Sequence, residues 1–154
     1  MVANFLGLPP GFNEAWPWIV ALDAWDYCDS APLDHLLRGA APIPDEIRPA
    51  LADIVGGTRQ PNKRAAAKLK LPAAERMKIA GSVSCILGLL DVFRRNNRQI
   101  ADDKGLEQKE LLAELSQEAH HAIATAAAEL GVSVETVENL LRDLRKKIEN
   151  WPRV

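Results

Sequence analysis

A chain of 154 residues is long enough for one full hydrophobic core, or two small helical units that share one, and too short for several independent domains. Its 47% hydrophobic content is ordinary for a globular protein, Ala, Leu, Glu, Lys and Arg dominate, and aromatic residues make up only 5%, which points to an all-α fold. The formal net charge of -2 excludes a uniformly basic chain, yet it hides a segregation. Residues 1 to 58 carry two basic and eight acidic groups, residues 59 to 98 ten basic and two acidic, and residues 99 to 154 seven basic and eleven acidic.

Asn13 is placed to cap a first helix from about Glu14 to Cys28, with Pro17 tolerated in its first turn. Ser30-Ala31-Pro32 opens a short helix that ends at Gly39. Pro42 and Pro44 make a stiff extended link into a third helix over Asp45 to Val55, with Pro49 near its start. Trp16, Trp18, Trp25 and Tyr27 make this acidic third aromatic, so residues 1 to 58 form either a packed lid or a protein-binding face. Trp16 and Trp18 are the candidate partner contacts, although aromatics at helical spacing are mostly core.

Gly56-Gly57 stop the third helix. Residues 59 to 72 then read as a basic linker or arm, or as the start of a helix broken by Pro72. Arg59, Lys63, Arg64, Lys68 and Lys70, with Arg94, Arg95 and Arg98 further on, are candidates for a phosphate-binding central surface. The competing reading is internal. Cations in the last turns of a helix answer its dipole without any ligand, and the acidic flanks can fold onto the basic block.

Pro72 fits the first turn of a long helix reaching about Arg98. Its segment Ile79 to Phe93 holds one charge, Asp91, and falls short of the roughly 20 apolar residues that cross a bilayer. The expected architecture is a compact multi-helix bundle around this central apolar helix, about 73 to 98, with residues 73 to 154 forming its body. Cys85 lies inside the apolar run, so Cys85 and Cys28 read as free thiols, and no basic segment followed by an apolar one opens the chain. A cytoplasmic protein with no membrane partner is expected.

Asp102-Asp103-Lys104-Gly105 breaks the chain, a helix covers Leu106 to Leu115, and Ser116 is placed to start the next. This alanine-rich helix runs into Leu130-Gly131-Val132-Ser133, and a second periodic segment continues from Val134 to about Trp151. Ala127 is small enough for two helices to cross closely, Gly131 can take the positive φ that ends the first, and Ser133 can cap the second. Residues of about 117 to 145 resemble the bacterial helix-turn-helix DNA-binding domain, on Ala127, Gly131 and Val137, supported by Leu130, Val132, Ser133 and Thr136. The resemblance implies that the second helix enters the major groove, that Ser133 and Thr136 touch phosphate, and that Glu135, Asn139 and Arg142 lie near base edges.

Val134, Val137, Leu141, Leu144, Ile148 and Trp151 repeat as a heptad seam. The far end of that seam, Leu141, Leu144, Ile148 and Trp151, must meet another helix of this chain or the same helix of a second copy. A homodimer would present two motifs to DNA. His120 and His121 are adjacent and so diverge by about 100° on a helix. No phosphate loop, nucleophile elbow or dinucleotide fingerprint is present, so neither catalysis nor a metal or cofactor is expected. The leading expectation is a small helix-turn-helix protein on double-stranded DNA, of regulator or mobile-element accessory type. The rival is a non-enzymatic helical adaptor or inhibitor with a protein partner, which the acidic side chains Glu135 and Glu138 favour.

Overall fold

The computed structural model describes residues 8–96, 102–103, 105 and 107–154. Among them are seven α-helices and no strand: α1 (Trp16–Asp26), α2 (Ala31–Arg38), α3 (Arg48–Val55), α4 (Lys63–Ala66), α5 (Arg76–Arg95), α6 (Gln108–Leu130) and α7 (Val134–Glu149). The 20-residue α5 is the central element and packs against α1, α6 and α7, as its apolar run requires. A single 3-10 turn, Ala73–Glu75, leads into it from Pro72.

Two clusters fill the interior. The larger gathers Phe12, Trp18, Ile19 and Leu22 with Leu33, Ile47, Met77, Ala80, Leu140 and Leu144, joining the N-terminal third to α5 and α7. The smaller holds Val83, Ala127 and Val137, so the small Ala127 and the inward Val137 meet where α5, α6 and α7 converge. Gly81 faces the Trp16 ring so closely that a Cβ there would lie 2.8 Å from Cζ2. A glycine in mid-helix therefore sets how near α1 comes to α5.

Several boundaries differ from expectation. α1 begins at Trp16, not Glu14, because residues 10–15 form a turn around Gly11 (φ 79°), and Asn13 contributes its carbonyl to that turn instead of a side-chain cap. α3 starts at Arg48, after a turn closed by Ile47 N donating to the Pro44 carbonyl. The interruption expected at Ser116 does not occur. α6 is continuous, since nothing between Gln108 and Leu130 is Gly or Pro, and its start is a reciprocal capping box between Glu107 and Glu110. The Ser116 carbonyl is instead hydrogen-bonded to His120 Nδ1 at 2.7 Å.

The basic segment is docked. Asn62 Oδ1 accepts from Ala65 N at 2.9 Å and starts α4, while Asn62 N donates to the Asp26 carbonyl at 2.8 Å and ties that turn to the end of α1. In α7 the buried stripe is Val137, Leu140 and Leu144, with Leu141, Ile148 and Trp151 half-buried behind it. Leu140 replaces the expected Val134, which is 43% exposed. The seam closes inside the chain: Trp151 stacks edge-on to Phe12 at 5.4 Å and donates its indole N–H to the Pro10 carbonyl at 3.0 Å. Trp18 is buried and donates to the Pro42 carbonyl at 3.2 Å. Leu144 and Trp18 are thus core residues and offer no surface to a partner, and Leu141, Ile148 and Trp151 lean on their own core. No helix among the described residues is long and apolar enough to cross a membrane.

Candidate nucleic-acid interface

The turn between α6 and α7 is built from three residues. Gly131 takes φ 65°, its N–H donates to the Ala128 carbonyl at 3.2 Å, and Val132 N donates to the Ala127 carbonyl at 3.0 Å. That pair of bonds is a Schellman termination, which a residue with a Cβ adopts only under strain. Ser133 Oγ then accepts from Thr136 N at 3.2 Å and lies 3.0 Å from Thr136 Oγ1. Beyond the cap, Glu135, Glu138, Asn139 and Arg142 are exposed, and Arg142 donates to Asn139 Oδ1 at 2.8 Å. The first two turns of α7 consequently present two carboxylates to solvent, and its positive charge begins at Arg142.

The basic block divides into cations used by the fold and cations left outside it. Arg59 grips Asp26 with two bonds, 2.8 Å from Nε and 2.6 Å from Nη2, and donates from Nη1 to the Val154 carbonyl at 2.9 Å. Arg76 is buried between Asp23 (3.1 Å) and Asp143 (2.9 Å), with its guanidinium 4.0 Å above the Tyr27 ring. Lys147 approaches Asp23 at 3.5 Å, Lys78 approaches Glu75 at 3.5 Å, and Arg95 meets Asp91 at 2.6 Å. So the acidic flanks do fold onto part of the basic block.

Burial governs this cluster. It raises the Asp23 carboxyl above the usual carboxylate range, against the pull of Lys147 and Arg76. Burial also opposes the charge of Arg76, but Asp23 and Asp143 outweigh it and hold the guanidinium more firmly protonated. Burial likewise raises the Tyr27 phenol.

Lys63, Arg64, Lys68 and Lys70 are exposed, and among the described residues no carboxylate comes within 4.0 Å of their cationic groups. The same holds for Arg142, Arg145, Lys146 and Arg153. α4 and the C-terminal half of α7 face each other across an open cleft of ≈ 410 Å³, with Arg59, Asn62 and Ala65 on one wall, Lys146, Lys147, Asn150 and Arg153 on the other, and the carboxylates Asp23, Asp26 and Asp143 also lining it. On the α4 side the cation at the cleft is Arg59, already bound to Asp26, while on the α7 side Lys146 and Arg153 line it without an ion-pair partner among the described residues. Arg145, Lys146 and Arg153 were not singled out from sequence, although Arg142, Arg145 and Lys146 stand at i, i+3 and i+4 on the outward side of α7.

The other basic cluster is elsewhere. α5 is 20 residues long, roughly 30 Å, and Arg76 at its start is beside the cleft while Arg95 is at its end. Leu87 and Leu90, near that end, line a pocket with Leu112 and Leu115 of α6. The two basic clusters that flank the apolar helix in the sequence are thus held apart by its length. The side chain of Arg94 and the whole of Arg98 lie outside the described residues. No family model, curated protein or solved structure matches this chain.

A second feature belongs to the N-terminal third. Trp16 is half-buried and, with Pro17, Val20, Pro32 and Leu36, lines an apolar groove of ≈ 450 Å³ between α1 and α2, with His35 and Lys78 at its edge.

Proposed function

We propose that this is a small helical nucleic-acid-binding protein, of the regulator or mobile-element accessory type, that engages double-stranded DNA with α7 and α4 together. The observation that carries the reading is the set of exposed Lys and Arg side chains in and just after α4 (Lys63, Arg64, Lys68, Lys70) and along and after the C-terminal half of α7 (Arg142, Arg145, Lys146, Arg153), none of which has a carboxylate within 4.0 Å among the described residues. Cations kept from internal pairing release condensed counterions when they meet phosphate, and that release supplies most of the affinity for a duplex. The α6–α7 corner, with its αL glycine and capping serine, is the element that would dock in the major groove. Ser133 and Thr136 would approach the backbone, and Asn139 and Arg142 the bases.

The centre of binding on this reading lies one to two turns further along α7 than the resemblance implies. Glu135 and Glu138 repel phosphate near the turn, whereas Arg142, Arg145, Lys146 and Arg153 attract it. Binding to a random-sequence duplex, followed by fluorescence anisotropy, tests this. Double charge reversal of Lys63 and Arg64 to Glu is expected to weaken binding at least tenfold in low salt. Charge reversal of Arg95, remote and paired with Asp91, serves as the control and is expected to change affinity less than twofold.

The groove beside Trp16 supports a second reading, a non-enzymatic adaptor or inhibitor that holds an apolar segment of a protein partner between α1 and α2. Trp16→Ala would then remove the partner and leave DNA behaviour unchanged.

A further inference from the structure

The three carboxylates that line the cleft between α4 and α7 are each already held by a cation. Asp26 takes two bonds from Arg59, Asp23 takes Arg76 and Lys147, and Asp143 takes Arg76. The Val154 main-chain oxygen, also at the cleft, accepts from Arg59 Nη1 at 2.9 Å. The groups left over on the walls are mainly donors. Lys146 and Arg153 have no ion-pair partner among the described residues, and the Tyr27 hydroxyl, Asn62 Nδ2 and the Asn150 side-chain amide make no hydrogen bond there.

We propose that this cleft binds a small phosphomonoester on a hydroxylated body, that is, a sugar phosphate. Charge argues for the phosphate. A phosphomonoester carries about -1.5 to -2 at neutral pH and three strong acceptor oxygens, so one group can meet Lys146 and Arg153 together. A carboxylate or a phosphodiester brings a single charge. The planar fork of Arg153 suits a phosphate bidentately, and Lys146 adds a compact charge beside it.

Polarity argues for the hydroxylated body. Of the side chains that line the cleft only those of Ala65 and Val154 lack a polar group, so a lipid tail finds little to bury against. The Asn150 amide can both donate and accept, and Asn62 Nδ2 and the Tyr27 hydroxyl add donors, which is what sugar hydroxyls match. The volume of ≈ 410 Å³ falls in the range of about 300–1,000 Å³ typical of small-molecule sites, more than a bare oxyanion fills. The cleft is open, so the affinity is modest. Binding there needs no nucleic acid, although Lys146 and Arg153 serve both roles.

Titration of the isotope-labelled protein with ribose phosphate, esterified on its terminal hydroxyl, tests the site by NMR in low-salt, phosphate-free buffer without nucleic acid. Saturable shifts are expected at Tyr27, Asn62, Lys146 and Asn150, with a Kd of about 0.05–5 mM, the strength of two charge-assisted contacts in an open site. Ribose is expected to bind at least tenfold more weakly, and inorganic phosphate at least threefold. Lys146→Gln and Arg153→Gln, both at exposed positions, should each weaken binding at least fivefold, whereas Lys70→Gln, an exposed cation that does not line the cleft, should change it less than twofold. No saturation below about 20 mM, or shifts that saturate away from the cleft, overturns the site. An equal loss in Lys70→Gln would also overturn it, since surface charge at large would then suffice. Inorganic phosphate binding as tightly as ribose phosphate would overturn the assignment of a sugar body.

Discussion

Arg76 of α5 and Asp23 of α1 form an ion pair that is shut off from water on both sides, with the two side chains only 9% and 4% exposed and Nε 3.1 Å from Oδ2. The pair joins the acidic N-terminal third to the basic block, and Asp143 and Lys147 extend it to α7. Truncating one member of such a group strands the others without compensation. Arg76→Ala is expected to cost about 3–5 kcal/mol in urea denaturation, far more than loss of an exposed pair such as Arg38–Asp34, worth about 0–1 kcal/mol.

Asp23 gives the cluster a pH signature. Its carboxyl is raised by burial above the value of 3.8 that it has in an open chain. Between those two values the folded protein binds more protons than the unfolded one, so the Asp23 contribution to stability grows as pH falls through the raised value towards 3.8 and is lost as pH rises. Asp23→Asn removes that titration. Denaturation of both proteins at a series of mildly acidic pH values should show the stability gap, wild type minus variant, widening as pH falls. A gap that narrows would mean that the cations, and not burial, dominate at Asp23.

Gly81 is expected to tolerate no larger residue. Gly81→Ala drives a methyl group to 2.8 Å from the Trp16 ring, and overpacking of this kind costs about 1–3 kcal/mol despite the gain in helix propensity. Thermal melts of Gly81→Ala and of Gly81→Ala with Trp16→Leu should separate the two effects, with the second variant regaining stability relative to Trp16→Leu alone.

The α6–α7 turn should be sensitive at two points for different reasons. Ser133→Ala removes a cap and is expected to cost about 1 kcal/mol. Gly131→Ala forces a Cβ into φ 65°, with no neighbour within 4 Å to clash, so its penalty is purely conformational, about 1 kcal/mol. Denaturation midpoints of the two single variants and the double variant check both values.

The sequence was informative where local chemistry decides. The Ala127, Gly131, Ser133 and Val137 pattern located the turn and its cap, Gly39 and Gly56 closed their helices, and the uncharged run before Asp91 marked the central helix. It misled where tertiary contact decides. Ser116 is a competent N-cap by type, yet a helix without Gly or Pro continued through it. Leu140 and Val134 exchanged roles because the surroundings of α7, not its own period, choose the buried stripe. Which cations were already paired, Arg59 with Asp26 and Arg76 with Asp23, depended on contacts 33 and 53 residues apart in sequence.

The nucleic-acid reading is tested most directly by the salt dependence of binding to a random-sequence duplex, for wild type and for Lys146→Glu. If α4 and α7 together neutralise about four to six phosphates, log K should fall against log[salt] with a slope of about -4 to -5 for wild type, less steep by about one for the variant. A flat salt response, or no binding at low ionic strength, would contradict the reading and leave the α6–α7 corner as a packing element.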